Sequence, residues 1–329
     1  MKRAVSLALL ALSLFGVLGP DAMAAMPAFR TISKTETSHV KRILLVFAHP
    51  DDETMMGGTL LKLKELGVEV RAVYATAGEG GKRVVLMKGK PIEERAPSTG
   101  WLAQVRKGEL ARALTHFGVK VHELLGQPDA PTRFADGKPA ETGTEFLSRG
   151  DWDVHAIEHG IVRAATAFRP DVVITLLPDN KRVHPHHQAI AIITRRLFQA
   201  GKLGPTAKQL YGLEETVWYS PDTFQSGALD EAQKVRFDTS KACVKNKKIT
   251  YASYAAKGAS MHKSQMVGYK GEVPGYEVFV PLGLGDNLLM SLLTPTATAR
   301  RAAKIRPPAV RKSLPKTFKV KRGAGWVPR

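Results

Sequence analysis

This sequence predicts an α/β fold, a Rossmann-like, mostly parallel sheet with helices on both faces, on three observations. Apolar runs of strand length alternate with helix-length segments in which apolar residues recur three and four apart. The first run, RILLVFA at 42–48, shows no polar alternation, as a strand covered on both faces requires. Glycines close the helical segments that follow, Gly67 after the first and Gly118 after the next.

In chain order, 42–48 is the first strand, and Met56, Leu60 and Leu63 mark the helix after it. VEVRAVYAT at 68–76 is the second strand, leading into the loop AGEGG. The helix QVRKGELARALTHF precedes Gly118, and VHELLG supplies a third strand. DVHAIEHGIVRAATAF is helical, PDVVITLLP at 170–178 a fourth strand, and HHQAIAIITRRLFQA the helix behind it. Such βαβ units carry right-handed crossovers. ETVWYS and YEVFVPL are expected as added strands around a helix in KKITYASYAAKGASMHKSQ.

The two ends differ from this body. Residues 1–24 have Lys2 and Arg3, an apolar run, and Ala22-Met23-Ala24 as a cleavage site, the pattern of a secretory signal peptide. The run is shorter than the ~20 residues of a membrane span and is broken by Gly16, Gly19 and Pro20. The expectation is an exported protein, periplasmic or secreted, with no transmembrane span in the mature chain. Residues 25–41 read as a linker, 42–299 as one domain, and 300–329 as a basic, proline-punctuated, disordered tail without an acidic residue. The formal net charge of +19 favours anionic partners. In an exported protein those are envelope surfaces rather than nucleic acid, and the tail is either a solvated extension or a docking arm for such a surface. Cys243 is the only cysteine, which excludes an intrachain disulfide and a thiolate metal cluster.

The chemistry is expected where the first strand ends, in AHPDDE at 48–53. Ligands of open α/β sheets bind beyond the carboxyl ends of the strands. Pro50 keeps His49 extended, and Asp51 and Asp52 fall near the positive end of the next helix. One aspartate would suffice as a helix cap; a histidine and two aspartates exceed that need. After the fourth strand the pattern recurs as HPHH at 184–187, with His184 and His187 three apart as His49 and Asp52 are. Two such turns facing one crevice form a His, His, Asp set suited to Zn2+ or Fe2+ with open positions for water and substrate. Asp51 is then available to take a proton from water.

AHPDDE, followed in order by TAGEGG, RKGE, LGQPDA, RPDVVIT, HPHH and later MHKSQ, resembles the PIG-L/LmbE-like family of metal-dependent N-acetylglucosaminyl deacetylases. The resemblance runs from about 42 to 200. It implies the deacetylase version of the Rossmann-like fold, His49, Asp52 and His187 as ligands of a zinc or iron ion, Asp51 as general base, and His184 as stabiliser of the tetrahedral oxyanion. Arg106 and Asp129 match substrate-binding positions for sugar hydroxyls or a phosphate, with Glu79 supporting them from the glycine-rich loop. The chain departs from the family at His186, where an aspartate is usual; any support that carboxylate gives a neighbouring imidazole is missing.

The function expected is hydrolytic removal of an N-acetyl group from an N-acetylglucosamine-containing envelope glycan, glycolipid or wall fragment. Two alternatives stand beside it: a deacylase of another N-acyl amino sugar or lipopeptide, and an envelope-binding protein with impaired catalysis. A nicotinamide dehydrogenase, the rival from fold alone, is strongly discounted because no G-x-G-x-x-G follows the first strand.

Overall fold

The structure, a computed structural model, describes residues 40–87, 90–94, 96–132, 141–178, 184–215, 234–243, 245–266 and 275–283. The expected signal peptide, most of the expected linker and the basic tail at 300–329 lie outside these residues. Among the described residues nine strands run in chain order: β1 Arg42–Phe47, β2 Glu69–Thr76, β3 Arg83–Met87, β4 Lys90–Glu94, β5 Val121–Gln127, β6 Val172–Thr175, β7 Gln209–Leu213, β8 Val235–Asp238 and β9 Tyr276–Pro281. The helices are α1 Gly57–Leu66, α2 Thr99–Phe117, α3 Gly143–Ser148, α4 Val154–Phe168, α5 Pro185–Gln199, α6 Tyr251–Ala259 and α7 Lys263–Met266.

Seven strands form one sheet in the order β5-β2-β1-β6-β7-β9-β8. The first five are parallel, and β9 and β8 extend the sheet antiparallel. Ile43 to Phe47 are fully buried, so the unalternating run is the sheet's centre; each such side chain contributes ~1.5–3 kcal/mol on burial. After β1 the chain builds outward to β2 and β5, then crosses to the other side of β1 and continues with β6. β1 and β6 are therefore the switch-point pair, in register with Ile43 opposite Val172 and Leu45 opposite Ile174. The first His-Pro turn directly follows β1 and the second, at 184–187, comes between β6 and α5; ligands of such sheets bind beyond the carboxyl ends of the strands.

The helices are set by local sequence at most ends. Ser98 caps α2 by accepting from the Trp101 amide, and Asp153 caps α4 through the Ala156 amide. Gly67 and Gly118 close α1 and α2 in left-handed conformation, at φ 79° and 81°. α1 is the exception: Glu277 of β9 accepts from the Gly58 and Thr59 amides at 2.7 and 2.8 Å and from the Thr59 hydroxyl at 2.5 Å.

Several elements differ from expectation. The expected strand in ETVWYS falls at 215–220, of which 216–220 lie outside the described residues, and a strand not expected, Gln209–Leu213, pairs with β6. Its glycine and flanking glutamine give β7 a weak strand signature, and parallel pairing with buried β6 overrides it. The hairpin β3–β4 is antiparallel and separate from the main sheet; lysine, glutamates and Pro91 mask it as loop. No helix among the described residues is long and apolar enough to cross a membrane.

Candidate metal centre

The two His-Pro turns meet. His49 Nδ1 lies 3.0 Å from His187 Nε2, His187 Nε2 lies 3.2 Å from Asp52 Oδ1, and His49 Nδ1 lies 3.9 Å from Asp52 Oδ1. These three atoms form a compact set able to hold a cation. A tetrahedral ion with bonds of about 2.0–2.1 Å separates its ligand atoms by about 3.3 Å, so the triangle fits a small divalent metal. The donor chemistry, two imidazoles and one carboxylate, suits zinc and iron alike.

Each ligand is held from behind. Asp52 Oδ2 accepts from the amides of Ala48 and His49, both at 2.9 Å, which turns Oδ1 toward the imidazoles. Burial opposes ionisation of Asp52, yet His187 and His49 hold its carboxyl below the usual range. His187 Nδ1 lies 2.5 Å from Glu215 Oε2, fully buried at the carboxyl end of β7. Burial works against a proton on His187, but Glu215 and then Asp52 raise its affinity well above the ordinary value. The proton belongs between Nδ1 and Glu215, which leaves Nε2 to bind a cation, the carboxylate–histidine–metal relay of zinc proteins.

Asp51 stands beside this triangle in a backbone conformation unusual for a residue with a side chain, φ 128°. Such geometry costs ~1–3 kcal/mol and persists where its surroundings enforce it. Here the enforcement is visible: the Asp51 carbonyl accepts from the Thr54 amide at 2.9 Å and hydroxyl at 2.6 Å. Its amide donates to Glu53 Oε2 at 3.2 Å, and its side-chain Oδ2 accepts from Gln265 Nε2 at 2.5 Å. Burial, and then the Asp52 charge, push the Asp51 carboxyl up to about 7, with His262, Arg106 and His49 pulling the other way.

Gln265 belongs to MHKSQ, and the same segment supplies His262, whose Nε2 lies 2.7 Å from Glu53 Oε1 with both side chains fully buried. Tyr74 donates to the other Glu53 oxygen at 3.0 Å. Ser264 anchors the segment to α2 through its amide and hydroxyl, 2.8 and 2.7 Å from the Glu109 carboxylate. The sequence signal for this brace was the motif itself; its targets, Asp51 and Glu53, lie more than 200 residues earlier.

His184 caps α5, its Nδ1 accepting from the His186 amide at 3.2 Å. That bond places the ring proton on Nε2. Burial, followed by repulsion from His49, His187 and His186, keeps the ring well below its ordinary pKa and hence neutral. The ring centroid is 5.0 Å from that of His49 and 5.3 Å from that of His187.

The remaining expected residues face several ways. Asp129 reaches the centre, with Oδ1 3.3 Å from His49 Nε2 and 3.3 Å from His186 Nδ1. Glu79 instead holds backbone, accepting from the Asp129 amide at 3.0 Å and the Ala77 amide at 3.2 Å. Arg106 is buried and donates to the carbonyls of Gly78 and Lys82. A Cβ at Gly80 would overlap the Asp129 carbonyl, so the glycine-rich loop must pack directly on the 128–130 turn. Glu215 went unread in the sequence because its partner lies 28 residues earlier; its position at the end of the strand beside β6 was the available signal.

The fold and site thus define a Rossmann-like α/β protein with a His, His, Asp group able to hold a cation at the switch point of its sheet. Residues 44–198 match the PIG-L family, described as GlcNAc-PI de-N-acetylase, and the chain carries a domain of that family. Over 174 residues it is 33% identical to 1D-myo-inositol 2-acetamido-2-deoxy-alpha-D-glucopyranoside deacetylase 2 of Catenulispora acidiphila, covering 51% of this chain and 54% of that one. Over 166 residues it is 35% identical to the corresponding deacetylase of Rhodococcus opacus, covering 49% and 54%. The match spans about half the length of these relatives. Among solved structures, N,N'-diacetylchitobiose deacetylase from Pyrococcus horikoshii superposes with a TM-score of 0.45 at 18% identity, covering 80% of this chain and 91% of that one.

Proposed function

We propose that this chain is a metal-dependent N-deacetylase that hydrolyses the acetamide of an N-acetylglucosamine-containing substrate to acetate and a free amine. The observation that carries the reading is the meeting of His49, Asp52 and His187 within ligand distance, with Asp51 beside them and unneeded as a ligand. PIG-L membership and the deacetylase relatives support the same reaction class.

His49, Asp52 and His187 would hold the cation, zinc or iron, which supplies Lewis-acid polarisation of the acetyl carbonyl and acidifies water. Asp51 takes the proton of the attacking water. A carboxyl pushed up to about 7 is matched to that task near neutral pH, and Gln265 fixes its oxygen by the bond at 2.5 Å. His184, neutral and protonated on Nε2, donates to the oxyanion as the carbonyl carbon becomes tetrahedral. The proton held by Asp51 passes to the leaving nitrogen as the C–N bond breaks. Asp129, Arg106 and Glu79 form the substrate-side wall, in which Arg106 and Glu79 act by holding the 77–82 loop.

We place the substrate among envelope glycans, glycolipids or wall fragments, on the support of the signal-peptide pattern at 1–24 and the cationic tail at 300–329. Acetate release should be assayed on N-acetylglucosaminyl-inositol, N,N'-diacetylchitobiose and longer N-acyl glucosamines, before and after chelation. Release that chelation abolishes and zinc restores supports the reading. Stoichiometric metal without amine release from any of them points to a binding protein, and release indifferent to chelation overturns the metal-dependent mechanism.

A further inference from the structure

His49 presents a second ring nitrogen to a second set of ligands. Its Nε2 lies 2.9 Å from His186 Nδ1, and Asp129 Oδ1 lies 3.3 Å from each of those nitrogens. The edges of this triangle match the spacing of about 3.3 Å in a tetrahedral zinc shell better than those around Asp52 do. His184 closes one side, and His49, His184 and His186 each offer a nitrogen within 4.8 Å of the others.

The two triangles share a construction. In the first, Asp52 anchors Oδ2 on backbone amides and offers Oδ1 to two imidazoles. In the second, Asp129 anchors Oδ2 on the Gly80 amide at 3.0 Å and offers Oδ1 to two imidazoles. His186 is fully buried against Phe146, with ring centroids 4.4 Å apart, and its Nε2 has no hydrogen-bond partner among the described residues. The ring's polar function is thus carried by Nδ1, which faces His49.

We propose that His49 Nε2, His186 Nδ1 and Asp129 Oδ1 form a second site for a divalent transition metal, with His49 bridging two cations through its opposite ring nitrogens. The site needs an imidazole at 186. It rests on the reading of His49, Asp52 and His187 as a metal site.

The test is metal content by mass spectrometry of the full protein equilibrated with buffered zinc, alongside the electron paramagnetic resonance of its cobalt form. Two equivalents and magnetic coupling between cobalt ions are expected in wild type. One uncoupled equivalent is expected in His186→Asp and in Asp129→Asn, with thermal melts confirming that each variant is folded. One equivalent in wild type overturns the second site and leaves the first standing; none overturns the first reading too. Two equivalents retained in both folded variants overturn the ligand assignment.

Discussion

The two strand ends that build the centre spell nearly the same words, His-Pro-Asp-Asp at 49–52 and His-Pro-His-His at 184–187, yet they fold differently. At the second motif Pro185 opens α5 directly after His184, which caps it, and His186 and His187 lie on its first turn. After β1, the chain passes through Asp51 at φ 128° and a 3-10 turn before α1 begins at Gly57, capped by the distant Glu277. Both routes deliver the first and fourth residues of the motif to the crevice, except that in the second the fourth residue alone joins the Asp52 triangle. The third residues part company: Asp51 is held to Gln265, whereas His186 is directed to the far side of His49. Similar ligand spacing can therefore be reached from strained or relaxed backbone, and the strain is spent where a free carboxylate is wanted.

The most severe way to break this contrast is at the third positions. Asp51→Asn is expected to lower kcat by about 10²–10⁴-fold, the usual worth of a general base, while metal content stays at the wild-type level. Normal turnover in a metal-loaded Asp51→Asn enzyme would remove Asp51 from the mechanism. Behind the fourth positions, Glu215→Gln should weaken metal binding by about 10–100-fold, read by competition with a fluorescent chelator. Unchanged affinity there would reduce Glu215 to a neighbour of His187 rather than its support.

Backbone strain gives opposite signs at the two equivalent positions. Asp51→Gly should be more stable than Asp51→Ala by about 1–3 kcal/mol, since glycine tolerates φ 128°. His186→Gly should be less stable than His186→Ala by about 0.5–1 kcal/mol, since that residue is helical. Urea titrations of the four variants decide it, and equal signs would refute the difference in backbone.

A pH-dependent effect concerns how the helices are capped. Burial pushes the Glu277 carboxyl from 4.5 up to about 7, outweighing the donors from Thr59 and Gly58. The folded state therefore binds this proton more tightly than the unfolded chain does. The resulting stability is full below about 4.5 and is lost as pH rises to about 7. Glu277→Gln should flatten the stability profile across that window; a slope identical to wild type would show that Glu277 titrates elsewhere.

Much of this was legible in the sequence because it depends on local pattern. The uninterrupted apolar run of β1, the glycines closing α1 and α2, and the repeated His-Pro spacing each act within a few residues. Legibility ended where partners converge from distant strand ends. Glu215 arrives from β7, Asp129 from β5, Gln265 and His262 from the segment after α6, and nothing near His49 or Asp51 announces them. Arg106 and Glu79 were picked out by motif, but the bonds they make to loop backbone follow from tertiary packing. β7 escaped the sequence for the same reason, its strand state coming from its neighbour rather than its composition.

The most direct measurement is anomalous X-ray diffraction at the zinc absorption edge from crystals of the full protein soaked in low zinc. A peak within bonding distance of His49 Nδ1, Asp52 Oδ1 and His187 Nε2, with Asp51 outside the coordination sphere, is the expected result. No density among those three atoms, or an ion bound through Asp51 instead of Asp52, would contradict it.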